Sequence, residues 1–102
     1  MKQIYVIGIA NSEADGVRIQ RAYGTEEEIK NYLMSLINGD RYEDEEGFDN
    51  GTESIDDLET DEVYLDRGAI SGYATYSSYH IDYVAIPEEN IKIKELGGKD
   101  NE

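Results

Sequence analysis

Apolar and polar side chains alternate along residues 2–10, with Ile4, Val6 and Gly8 on one face of a strand and Tyr5, Ile7 and Ile9 on the other. Both faces are largely apolar, which predicts a strand in the middle of a sheet. Asn11-Ser12-Glu13-Ala14-Asp15-Gly16 is a cluster of turn formers. Beyond it Val17, Ile19 and Arg21 alternate with Arg18, Gln20 and Ala22, so the two runs read as a β-hairpin.

The period changes after Gly24. Thr25-Glu26-Glu27-Glu28 is a capping box, and Ile29, Tyr32, Leu33, Leu36 and Ile37 then recur on one helical face, with Asn38-Gly39 as a stop signal. Residues 40–51 hold only Tyr42 and Phe48 as large apolar side chains and read as a loop pinned by those rings. Thr52 or Ser54 caps a short helix with Ile55 and Leu58 inward. Residues 62–65 read as a short strand or lead-in. Two Tyr-rich strands, 69–77 and 79–86, meet near Ser77-Ser78; Pro87 closes the second, 91–94 is a candidate edge strand, and 97–102 reads as a flexible tail.

The expected fold is α+β: an antiparallel sheet of about four strands in the order β-β-α-(short α)-β-β, with the amphipathic helix packed on one face. At 102 residues a single domain over 1–102 is expected, with an acidic loop and short helix over 40–62.

Charge changes this picture. Of 24 acidic residues, 13 lie between Asp40 and Asp66 against one base, Arg41, so most of the net charge of -15 sits in 27 residues. Such a field suits a basic surface, a metal ion or solvent, and it opposes nucleic acid and anionic lipid, whose phosphates need Lys or Arg partners. Calcium in an EF-hand needs glycine at loop position six, and neither Gly47 nor Gly51 leaves acids at positions one, three and five. With no cysteine there is no disulfide, thiolate metal site or cysteine nucleophile. The N-terminus lacks the apolar run of a signal peptide and no segment approaches a membrane span, so a cytoplasmic protein is expected.

Catalytic parts are few. His80 is the only imidazole. Ser77 or Ser78, His80 and Asp82 are close in sequence, but strand alternation sets His80 beside Asp82 with no nucleophile elbow. No catalytic residue, cofactor or metal is expected. Two binding surfaces remain. One is the acid run Tyr42, Glu43, Asp44, Glu45, Glu46 and Asp49, extended by Asp56 and Asp57, acting on a basic nucleic-acid-binding protein by imitating duplex phosphates. The other is a Tyr-rich sheet surface binding a protein partner, the acids then serving solubility; Tyr42, Phe48, Tyr64 and Tyr79 are its candidate exposed rings.

The run Tyr32-Leu33-Met34-Ser35-Leu36-Ile37-Asn38-Gly39 followed by Tyr42-Glu43-Asp44-Glu45-Glu46-Gly47-Phe48 resembles a stretch in small acidic anti-CRISPR proteins of phages and prophages of Gram-positive bacteria. Those proteins inhibit type II RNA-guided nucleases by occupying the arginine-containing surface that reads the PAM duplex. The resemblance implies a phage-encoded inhibitor of a CRISPR nuclease or another host defence enzyme, with Asp44 and Glu45 at the arginine-contacting positions. Gly47 stands where the family has an acid, and the motif lies here in mid-chain rather than near the end.

Overall fold

The computed structural model describes residues 1–13, 16–43, 45–61 and 67–97. Strand β1 (Gln3–Asn11) pairs antiparallel with β2 (Val17–Gly24) in an unbroken register from Gln3 opposite Gly24 to Ala10 opposite Val17. Helix α1 (Glu26–Glu43) follows, then β3 (Phe48–Gly51), β4 (Glu59–Thr60), β5 (Ile70–Tyr76) and β6 (His80–Pro87). The strands form one antiparallel sheet in the order β2-β1-β6-β5-β3, with β4 also on β5. The fold is α+β with α1 on one face; the sheet has six strands rather than about four.

The apolar periods explain the layering. Tyr5, Ile7 and Ile9 of β1, Ile70, Ala74 and Tyr76 of β5 and Ile81, Tyr83 and Ala85 of β6 all face the helix layer. Against them α1 buries Ile29, Leu33, Met34 and Ile37. Each such aliphatic side chain contributes roughly 1.5–3 kcal/mol on burial. The central position expected for the first strand is observed, since β1 lies between β2 and β6. The capping box forms as read: the Glu28 amide donates to Thr25 Oγ1 at 3.1 Å and the Thr25 amide donates to Glu28 Oε1 at 2.8 Å. That amide bond, reinforced by Lys2, holds the Glu28 carboxyl below its ordinary pKa.

The helix does not stop at Asn38-Gly39. Gly39 takes no positive φ and a Cβ there would meet nothing within 4 Å, so the glycine costs α1 only its usual entropy. Tertiary contacts outweigh it. The Tyr83 hydroxyl donates to Asp40 at 2.5 Å, Arg18 lies 3.9 Å from the same carboxylate, and the Arg41 guanidinium lies over the Phe48 ring of β3. Tyr42 and Glu43 therefore belong to the helix, not to a loop.

The remaining described residues of the expected 40–51 loop form a 3-10 turn at Glu45–Gly47 and then β3. These residues become a strand because β5 has an open edge. β3 occupies its Ala74 to Tyr76 end and β4 its Ile70 to Ser71 end. Between them Thr52, buried, continues the ladder: its amide donates to Tyr73 O at 2.9 Å and its hydroxyl accepts from the Tyr73 amide at 3.1 Å. The short helix is a 3-10 turn, Ile55–Asp57, with Ser54 at its cap. It docks where Gly72 leaves room, since a Cβ there would lie 2.8 Å from Leu58 Cδ2 and 3.0 Å from Ile37 Cδ1.

No edge strand forms over 91–94. β6 already has β1 and β5 as neighbours, so the segment leaving it through the 3-10 turn Glu88–Asn90 has no free ladder to join. The expected strand or lead-in at 62–65 and residues 98–102 of the tail lie outside the described part.

Candidate acidic interface

The acids from Asp40 onward sort by what holds them. Asp40 is structural, half-buried between the Tyr83 hydroxyl and Arg18. Burial, then the Asp40 carboxylate, pushes the Tyr83 phenol far above its ordinary pKa. Asp57 is also committed, accepting from the Glu53 amide at 3.3 Å and the Ser54 amide at 3.2 Å. Glu43, Glu46, Asp49 and Asp56 are exposed, and none of the ion pairs among the described residues involves them. Asp44 and the side chain of Glu45 lie outside the described part.

An aromatic platform positions the exposed acids after α1. Phe48 packs edge-on against Tyr76 at 5.7 Å, and Tyr76 stacks on Tyr79 at 4.5 Å. The Ser77 amide donates to Gly47 O at 2.6 Å, tying the 3-10 turn to the β5–β6 hairpin. Arg41 spans the Tyr42 and Phe48 rings at 5.9 and 5.5 Å from their centroids. Phe48 is thus a pin, whereas Tyr42, 71% exposed, is not.

Position matters as much as number. Glu43 ends α1, where the helix macrodipole is already negative, and Glu46 and Asp49 follow it in the 3-10 turn and in β3. At that end Glu43 opposes stability by about 0.3–1 kcal/mol and deepens the local negative potential. Asp56 belongs to another patch. It lines a concavity with Glu26, Glu27 and Lys30 at the N-terminal end of α1, and an 18-residue helix is roughly 27 Å long. The described residues of the expected site therefore fall into two groups toward opposite ends of the helix. Glu26 and Glu27 join the second group. They were legible as dipole-complementing acids, but their nearness to Asp56 depends on the packing of Ile55 and Leu58.

The tyrosines divide as well. Tyr5, Tyr76 and Tyr83 are core, Tyr79 packs on the core, and Tyr64 lies outside the described part. Tyr23, Tyr32, Tyr42 and Tyr73 are exposed and do not form one surface: Tyr23 is on β2, Tyr32 and Tyr42 on α1 and Tyr73 on β5. His80 bridges Thr75 Oγ1 and Asp82 Oδ1, each at 2.8 Å, and stacks on Tyr73. Ser77 and Ser78 are not part of that chain of contacts; the hydroxyl on His80 is that of Thr75, on a flat strand and part-buried against the ring.

Among the described residues no three His, Asp or Glu side chains converge as metal ligands do. No described helix is long and apolar enough to cross a membrane. No family model, no curated protein and no solved structure matches the chain, so its identity rests on its own geometry.

Proposed function

We propose that this chain is a non-enzymatic, phage-type acidic DNA mimic that binds the duplex-reading surface of a basic nucleic-acid-binding defence protein, such as a type II CRISPR nuclease or a restriction enzyme. One observation carries the reading: exposed carboxylates without described ion partners run from the negative end of α1 into β3, and the first of them, Glu43, acts against the stability of its own helix. Solubility alone does not require that placement. The carboxylates present acceptor oxygens to arginine and lysine as phosphates do. Their seat on a helix end and a strand pinned through Phe48 keeps them from collapsing into a flexible tail. The resemblance over residues 32–48 falls on the same segment.

The test is competition between this protein and duplex DNA for a panel of RNA-guided nucleases and restriction enzymes, including those of the natural host. Changing Asp44→Asn, Glu45→Gln and Glu46→Gln together is expected to leave the fold intact, with an unchanged circular dichroism spectrum as the check; at the exposed Glu46 such a change alters stability by about 0.5 kcal/mol or less. The triple change weakens binding at least about a hundredfold if two charge-assisted contacts are lost. Competition unaffected by the triple change transfers the site to Asp56, Asp57 and the neighbouring Glu26 and Glu27. Absence of competition across the panel at low salt ends the mimic reading.

A further inference from the structure

The two edges of the sheet are built differently. The β3–β4 edge is short, interrupted after Thr52 by the 3-10 turn Ile55–Asp57, shifted in register between Phe48 and Asn50, and carries the exposed acids Asp49 and Glu59. Those are the devices that keep sheet edges from pairing with other chains. The β2 edge has only two arginines to guard it. It is eight residues long, without proline or bulge, and exposes Val17 (57%), Ile19 (70%) and Tyr23 (68%). Its two arginines are engaged within the chain, Arg18 with Asp40 and Arg21 with Glu88 at 2.7 Å, so the edge is locally close to neutral.

We infer that β2 is a homodimer edge, pairing antiparallel with β2 of a second copy to make a continuous twelve-stranded sheet. The strand is self-complementary about Gln20. A two-fold axis there sets Val17 opposite Tyr23, Ile19 opposite Arg21 and Arg18 opposite Ala22, with no like charges facing. On the helix side Tyr32, whose hydroxyl donates to Gln20 at 3.0 Å, adds a ring beside the axis.

Net charge opposes any self-association, and less at this edge than at the β3–β4 edge. An acidic molecule repels itself least where its acids are farthest away. β2 and β3 lie at opposite ends of the strand order, four spacings or roughly 19 Å apart, more than two Debye lengths of ~8 Å at physiological salt. Pairing through β2 sends both β3–β4 edges outward, leaving each copy's acids free for a partner. The inference stands apart from the mimic reading, since it uses none of the acids assigned to that role.

Sedimentation equilibrium of the full chain tests it, at about 0.15 M salt and up to roughly 1 mM protein because an edge-centred contact is small. The expected mass rises from the 11.5 kDa of one chain to twice that value with concentration. Ile19→Lys places a cation opposite Arg21 at two symmetric positions and raises the dissociation constant about tenfold or more, with an unchanged circular dichroism spectrum. Tyr23→Lys acts in the same direction as a second variant. A mass of 11.5 kDa at every concentration overturns the inference, as does a dimer that neither substitution weakens.

Discussion

Tyr83 and Asp40 show what a single contact does for this chain. The tyrosine is buried in the middle of the sheet and its hydroxyl donates to a carboxylate 43 positions away, fastening the last turns of α1 to β6. Tyr83→Phe removes a hydrogen bond to a charged group and is expected to cost about 1.5–3 kcal/mol in urea unfolding. Its pH signature follows from the raised phenol pKa. The folded chain resists ionisation more than the unfolded chain does, so the contribution is complete below the ordinary tyrosine value of about 10 and is lost as the pH rises beyond it. The stability difference between wild type and Tyr83→Phe should therefore shrink on the alkaline side and hold steady between neutrality and that range. A difference independent of alkaline pH would contradict this account of the contact. Sequence reading found the Thr25–Glu28 box because its parts are three residues apart, whereas no local pattern links Asp40 to Tyr83.

Among the elements, α1 is where local and long-range forces disagree. Asn38-Gly39 is a sound stop signal, yet the helix continues to Glu43 because Asp40 is held by Tyr83 and Arg18 and Arg41 lies over the Phe48 ring. Gly39→Ala distinguishes the two descriptions. In a helix interior with open space for the methyl group it stabilises by about 0.5–1 kcal/mol, measured as a raised denaturation midpoint. In a left-handed cap it would destabilise. Strands β1, β2, β5 and β6 and the capped start of α1 were readable because each carries its own period. β3 and β4 were not, since Phe48-Asp49-Asn50-Gly51 and Glu59-Thr60 have no alternation and pair only because β5 offers an edge. The same limit applied to the candidate site: its acids were visible as composition, but their division between the two ends of α1 is a product of packing.

At the scale of the whole molecule, a net charge of -15 is distributed unevenly over one small sheet. Acids collect along the guarded β3–β4 edge and the ends of α1, while the opposite β2 edge is apolar with internally paired arginines. On the two readings proposed above, this arrangement separates an electrostatic recognition at the acidic end from a strand-pairing one at β2. Salt affects them in opposite ways. It weakens attachment of a basic partner and eases the approach of a second acidic copy.

The salt response of binding tests the central claim most directly. The protein is titrated against a nuclease from the defence panel with duplex DNA as competitor, at low and at raised ionic strength. A carboxylate surface standing in for phosphate predicts tight competition at low salt that falls steeply as salt rises, in parallel with the nuclease's own affinity for DNA. Competition that persists undiminished at high salt, or is missing at low salt across the panel, would contradict it.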